Sequence, residues 1–262
     1  VDRGGRIELV GEGGTVAQTG TLRADGTVPA PDGGQIFLKG TRIVQRGTVT
    51  ADAEQAGRGG DIQVIAVKGT VLDTGSLLRV RGGAPRAEGG SIRINTTEGH
   101  TSFRPGAVVD VSAGAMGGDA GFVELSGQSL QWGGQIVGQA QEGFLGGRLL
   151  VDPLNLIFDT SSQSSPTNNT SPTPDIAFDA APSSGTTTVQ ISDITGFSEA
   201  RFEATQDITV NNTLRMGNNN DLVFLAGRHI NLNANVEVRG SNGDMVLIAD
   251  NDFSSRGGAA SD

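Results

Sequence analysis

The chain has 262 residues, 41 of them glycine, with no cysteine, no tyrosine and 4% aromatics, which excludes a disulfide framework and disfavours a compact core built on large rings. A net charge of -10 and a pI near 4.7, with Lys39 and Lys68 the sole lysines, oppose nucleic acid or anionic lipid as partners, since both need a concentrated positive patch. No run of about 18 apolar residues occurs, so no transmembrane helix and no membrane insertion are expected.

The chain opens on Val1 without an initiator Met or signal peptide, and reads as a processed or excised piece of something longer. Gly4-Gly5-Arg6-Ile7-Glu8-Leu9 then sets a pattern: a glycine pair followed by a short alternating apolar segment. It returns at Gly33-Gly34, Gly59-Gly60, Gly89-Gly90, Gly117-Gly118 and Gly146-Gly147, in steps of 29, 26, 30, 28 and 29 residues. A period in this range marks stacked repeats, in which each unit buries its apolar face only against the next. After each glycine-pair strand come two more short apolar segments, for example Ile43, then Val49 with Ala51, and Val71, then Leu78 with Val80. Three short strands per coil follow, with these residues inside and Glu8, Phe37, Gln63, Arg93, Glu124 and Leu150 on the outer face. Gly20, Gly47, Gly75, Gly106 and Gly134 precede the third strand, where a bend at positive φ is expected.

The rhythm changes at Leu149-Leu150-Val151-Asp152-Pro153, where the proline marks a strand end or edge. Residues 159–188 form a Ser/Thr/Pro-rich excursion, with Ile176 and Phe178 expected to pin it to the body. The ladder resumes over 189–251 with a shorter repeat: Phe202, Ala204, Ile208, Val210, Leu214 and Met216 recur 22 residues later, and Phe224 and Ala226 recur 23 later as Leu247 and Ala249. Asn211 and Asn233 belong to an asparagine-rich set suited to stacked amides at solenoid corners. Residues 252–262 read as a polar tail. The expected fold is therefore all-β, a parallel β-helix with about three short strands per coil and coils over 1–158 and 189–251. At about 4.8 Å per coil it makes a rod of roughly 45 Å.

Candidate chemistry is sparse. Acidic residues fall mostly at turns (Asp25, Asp52, Asp61, Asp119, Asp221, Asp244) and form no continuous acidic row, and no metal or other cofactor is expected. His100 and His229 lack metal-spaced partners and read as turn or surface residues. Arg79, Arg81 and Arg86 form the one basic cluster, paired with Glu88 or solvated. Trp132, beside Gly133-Gly134, either stacks on a sugar as a ligand contact or packs at a corner. Phe37 and Leu150, with Ile65, are candidates for lateral contact between rods.

The Gly-Gly-x-Ile-x-Leu rungs, the segment Leu150-Val151-Asp152-Pro153-x-Asn155-Leu156-x-Phe158, Asp207-Ile208-Thr209-Val210-Asn211 and Leu225-Ala226-Gly227-Arg228-His229-Ile230-Asn231-Leu232 resemble the shaft region of filamentous haemagglutinin-like exoproteins of bacterial two-partner secretion. The family's N-terminal secretion domain, with its Asn-Pro-Asn motifs, has no counterpart here. The resemblance implies that the parallel β-helix is right-handed, and that the protein is extracellular or on the cell surface, exported through an outer-membrane transporter. Its expected function is non-catalytic: an adhesin shaft, or a self-assembling unit of a filament or matrix. Its partners would be other copies, joined head to tail or laterally, or a host or cell-surface glycan or protein. The alternatives are a polysaccharide-active β-helix enzyme, roofed by the excursion, and a carbohydrate-binding module centred on Trp132.

Overall fold

The computed structural model describes residues 4–28, 30–159, 186–190, 197–218 and 220–251. The tail over 252–262 and most of the excursion, including Ile176, Phe178 and its four prolines, lie outside the described residues.

Among the described residues every element is a strand and every strand pairing is parallel. Five similar coils come first: β1 (Arg6–Gln18) with β2 (Thr21–Arg23), β3 (Gln35–Gln45) with β4 (Thr48–Thr50), β5 (Asp61–Leu72) with β6 (Leu77–Arg79), β7 (Ser91–Phe103) with β8 (Val108–Asp110), and β9 (Phe122–Trp132) with β10 (Gln135–Val137). The sixth coil holds β11 (Gly147–Asp152) and β12 (Asn155–Asp159), followed after the excursion by β13 (Thr186–Gln190). The seventh is β14 (Phe197–Ala204), β15 (Ile208–Val210) and β16 (Leu214–Asn218). The eighth is β17 (Asp221–Ala226), β18 (Ile230–Leu232) and β19 (Val236–Arg239), and β20 (Met245–Ile248) opens a ninth. The chain is a β-solenoid of about eight turns. Its main sheet stacks nine strands in the order β1-β3-β5-β7-β9-β11-β14-β17-β20.

Three paired limbs per coil are present, but in the first five coils the first two are one long strand, bent where its register slips. The bend absorbs length differences: one residue is skipped between Gly40 and Arg42, three between Thr96 and His100. Register partners Arg6, Gln35, Asp61, Ser91, Phe122 and Arg148 set true steps of 29, 26, 30, 31 and 26 residues. The fifth rung thus begins at Gly121, not at Gly117-Gly118, which lie in the preceding loop at φ 138° and 106°.

The glycine pairs are needed for approach. A Cβ on Gly34, Gly60, Gly90 or Gly121 would lie 1.9–2.1 Å from the carbonyl oxygen of Gly5, Gly34, Gly60 or Gly90 respectively. Of the five bend glycines, positive φ is confined to Gly75 (81°) and Gly106 (83°). Those two sit in four-residue turns; Gly20, Gly47 and Gly134 close two-residue turns instead. The two-residue turns share a device. Gln18 Nε2, Gln45 Nε2 and Trp132 Nε1, one above another in register, each donate to the carbonyl of the turn glycine two residues on, at 2.8, 2.9 and 3.2 Å. Where the turn is longer the same column holds Leu72 and Phe103.

The interior is one apolar column. Ile36, Leu38, Ile62, Val64, Ile92, Ile94, Val123, Leu125, Leu149 and Val151 are fully buried or nearly so, while Glu8, Phe37, Gln63, Arg93, Glu124 and Leu150 share the outer register as expected. Val71 is buried as expected, 1% exposed, but it does not stand in the expected inward column. Register puts Thr70 and Thr101 in the column of Val16, Ile43 and Leu130, whereas Val71 falls level with Val44 and Ser102. The two buried threonine hydroxyls are satisfied by Thr96 Oγ1, 2.8 Å from each. From the seventh coil to the eighth the offset of 22 holds except at Asn218↔Arg239, and from β17 to β20 it is 23 as expected; the core here turns aromatic, with the Phe158 ring 4.8 Å from Phe202 and 5.1 Å from Phe224. Asn233 Nδ2 donates to Asn211 Oδ1 at 3.0 Å, the expected amide stack.

Replacing Gly90 by Ala should therefore drive a methyl group into the Gly60 carbonyl and destabilise the chain by at least about 1–3 kcal/mol. The matching change at Gly5, where nothing lies within 4 Å, should stay within about 1 kcal/mol. Urea denaturation of the two variants checks the contrast.

Candidate functional site: a charged groove on the main sheet

Most ionisable residues are occupied in holding coils together. Corner aspartates accept backbone N–H groups from the next coil: Asp25 from Asp52, Asp32 from Arg58, Asp52 from Arg81, Asp119 from Leu145 and Asp221 from Asp244, all at 2.8–2.9 Å. Such charge-assisted bonds to backbone donors are stronger than neutral ones. Asp52 and two further aspartates, Asp73 and Asp110, take guanidinium partners. Asp52 pairs with Arg79, Asp110 with Arg81, and Asp73 with both Arg46 and Arg104. Of the three arginines expected to pair with Glu88 or be solvated, Arg79 and Arg81 are drawn to Asp52 and Asp110 one coil away, while Arg86 is exposed, 5.6 Å from the Phe144 ring; Glu88 pairs with Arg58 at 3.5 Å. Burial pushes the Asp25 and Asp73 carboxyls up, but bonds from the Asp52 N–H and Arg23 in one case, and from Arg46, the Thr74 N–H and Arg104 in the other, outweigh it and hold both below the ordinary value.

The two histidines differ. His229 is exposed and pairs with Asp207 at 3.1 Å. His100 is buried on β7, against the expectation of a surface or turn position: its Nδ1 lies 2.9 Å from Ser129 Oγ, and its Nε2 is buried without a partner. Burial pushes its pKa down to about 4, opposed in part by the Ser129 hydrogen bond.

Trp132 is 6% exposed, with its ring 6.4 Å from Phe103 and its indole N–H bound to the Gly134 carbonyl. It offers no open face to a sugar; the tight turn needs its donor inside. Phe37 and Leu150 do face outward, both half-buried, but Gln63, Arg93 and Glu124 stand between them in the same register column and break any apolar strip. The Arg6 guanidinium covers the Phe37 ring at 4.4 Å. Ile65 is likewise half-buried, in the next outward column beside Lys39 and Asn95.

Leu150 instead lies in a groove of about 610 Å³ on the outer face of the main sheet, running from β7 to β14. Its walls carry Glu124, Asp152, Glu199 and Glu203 against Arg148 and Arg201, with Phe122, Leu150 and Leu154 as apolar surface. Strand alternation places every second residue of four successive rungs on this face. Glu203 is nearly inaccessible, its side chain 4% exposed, and is held by Arg201 Nε at 2.5 Å. Glu124 accepts from Ser126 Oγ at 3.0 Å and lies 3.5 Å from Arg93. The Phe122 ring has two guanidinium neighbours, Arg93 at 5.3 Å and Arg148 at 5.8 Å from its centroid. Arg148 has no carboxylate within 4.0 Å among the described residues, so its donors face the groove unclaimed by an ion pair. Carboxylate acceptors and guanidinium donors alternating along an apolar floor can engage a polyhydroxylated chain at several points. Sequence reasoning named Leu150 and Glu124 as outward but missed the groove, which arises where Pro153-Leu154 ends β11 beside the lengthened bend of β7. Among the described residues no three His, Asp or Glu side chains converge to hold a metal. No protein family, no curated protein and no solved structure matches this chain.

The burial of His100 has a signed consequence. Its folded pKa lies below the ordinary 6.5, so the unfolded chain binds the extra proton first. Stability should fall as pH drops from about 6.5 to about 4, by ~3 kcal/mol in all. A second loss below about 3.8 should follow as Asp25 and Asp73, held low when folded, take protons. Urea midpoints measured from pH 7 to 3 should show both phases, and His100→Gln should remove the first alone.

Proposed function

We propose that this chain is the non-catalytic shaft of an extracellular or cell-surface bacterial protein, a stiff spacer whose outer groove makes adhesive contact with surface glycans. The observation that carries the reading is the nine-strand ladder of the main sheet, whose coils follow one another in register with a continuous apolar interior. A solenoid of this kind transmits load along its axis through every coil, and repetition extends its length without changing its cross-section. The glycine approach and the aspartate staples both serve coil stacking, which supports a mechanical role over a chemical one. The groove carboxylates support the same reading: Glu124 and Glu203 are each engaged by a guanidinium. The resemblance to haemagglutinin-like shafts agrees with it.

Adhesion is assigned to the groove because Arg148 supplies donors, and Phe122 and Leu150 apolar contact, along the lining of its 610 Å³. Protease shaving and antibody labelling of intact source cells should remove and detect the protein; signal appearing only after lysis would contradict the surface assignment. On a glycan array the purified chain should bind a subset of polysaccharides without cleaving them. Arg148→Ala should weaken that binding about tenfold or more while leaving the urea midpoint unchanged. Release of shortened products from any bound glycan would favour the enzyme reading instead.

A further inference from the structure

The groove does not end at Arg148. A second cavity of about 460 Å³ shares Phe122 and Arg148 with it, and a third of about 600 Å³ shares Gly146 and Ser198 with the second. The three make one continuous cleft, and its course follows a single coil. Gln141 lines the third cavity, Gly146 and Arg148 the second, and Leu150, Asp152 and Leu154 the groove itself, so successive residues of the sixth coil lie along it. Within the groove Arg148, Leu150 and Asp152, alternate residues of β11, give a floor about 13 Å long. Its walls come from β9 and β14, the strands on either side of β11. The cleft therefore runs across the rod.

Backbone irregularity marks the junction between the cavities. Gly147 pairs with Phe197 and Arg148 with Glu199, which leaves Ser198 as an extra residue in β14. Such a bulge bends its strand and re-aims the neighbouring side chains. Ser198 Oγ donates to the Gly146 carbonyl at 2.7 Å, which fixes the bulge where the second and third cavities meet.

The charges of the lining are largely answered by one another. Arg81 pairs with Asp110, Arg58 with Glu88, Arg93 with Glu124 and Arg201 with Glu203. Asp61 accepts from Ser91 Oγ at 2.5 Å, and Asp119 from the Leu145 N–H at 2.9 Å. Arg148, in no ion pair among the described residues, has Glu199 as its register partner on β14, so these two offset each other in sign. A carboxylate or sulfate group entering the cleft meets one unclaimed guanidinium on a chain of net charge -10. A hydroxyl donates to the carboxylates and accepts from the guanidiniums without parting any pair.

We propose that the cleft holds one linear, uncharged polysaccharide, laid along the sixth coil with consecutive sugars in all three cavities. This rests on the reading of the groove as a glycan site, and adds to it the charge class and the length of the chain bound.

Native electrophoresis of the whole chain through gels containing a neutral linear glucan, mannan, xylan or galactan, or an acidic polygalacturonate, alginate or dextran sulfate, reads the class. Retardation is expected with at least one neutral polymer and with no acidic one. Oligomers of the retarding polymer, from trisaccharide to dodecasaccharide, should then bind about tenfold or more tightly as they lengthen, as measured by calorimetry. Ala115 and Gln141 are exposed in the third cavity. Ala115→Trp and, independently, Gln141→Trp should remove that gain while the urea midpoint stays unchanged. Retardation by the acidic polymers alone, or as strong as by the neutral ones, overturns the charge class. Equal affinity for trisaccharide and dodecasaccharide, or a length gain that survives both substitutions, overturns the continuous cleft. Each of these results leaves the glycan reading of the groove standing, whereas retardation by none of the polymers removes that reading and this inference with it.

Discussion

The structure depends on how closely one coil can lie on the next. Parallel strands pair at about 4.8 Å, and at the corners the backbone of one coil must pass directly over a carbonyl of the coil beneath. A methyl group has no room there: at Gly34, Gly60, Gly90 and Gly121 a Cβ would sit about 2 Å from that oxygen. Because the corner is fixed, the limbs that leave it stay in register, and inward residues fall on inward residues for eight turns. Variation in coil length is pushed into the bends and loops. There it adds residues without moving the ladder, which is why steps of 26 and 31 residues coexist in one sheet.

Charge follows the same geometry. An aspartate at a corner finds the next coil's N–H and, one rung away, an arginine, so the acids of this chain act largely as staples between coils. A net charge of -10 is compatible with this fold because many carboxylates have a partner in register, whether a backbone donor or a guanidinium. Where the two demands separate, on the outer face from β7 to β14, side chains are left to form the groove.

The period, the inward columns of the first limb and the 22-residue offset of the later coils were legible because each rests on side-chain alternation, which sequence displays directly. The fifth rung was not. Gly117-Gly118 repeats the motif, yet Gly121 lies over the Gly90 carbonyl, and spatial superposition rather than dipeptide identity chooses the rung. Val71 was misplaced by one residue because Thr70 and Thr101, polar in sequence, satisfy each other's surroundings through Thr96 and so enter the core. Trp132 was read as a platform or a packed ring; its alignment with Gln18 and Gln45 as a turn-capping donor appears once the register is known. The insertion of β13 beneath β12 was hidden for a further reason. Chain order carries no information about a strand that returns to an earlier level after a long connection.

The central claim is that equivalent residues of successive coils stand directly above one another along one axis. Glu8, Glu124, Arg201 and Val246 occupy the first, fifth, seventh and ninth places of one outward column. Pulsed electron spin resonance between a label at Glu8 and one at each of the others should give backbone separations of about 19, 29 and 38 Å, rising by about 4.8 Å per coil. Separations that fail to grow with coil number, or that fall into two unrelated sets on either side of the sixth coil, would contradict a single continuous stack.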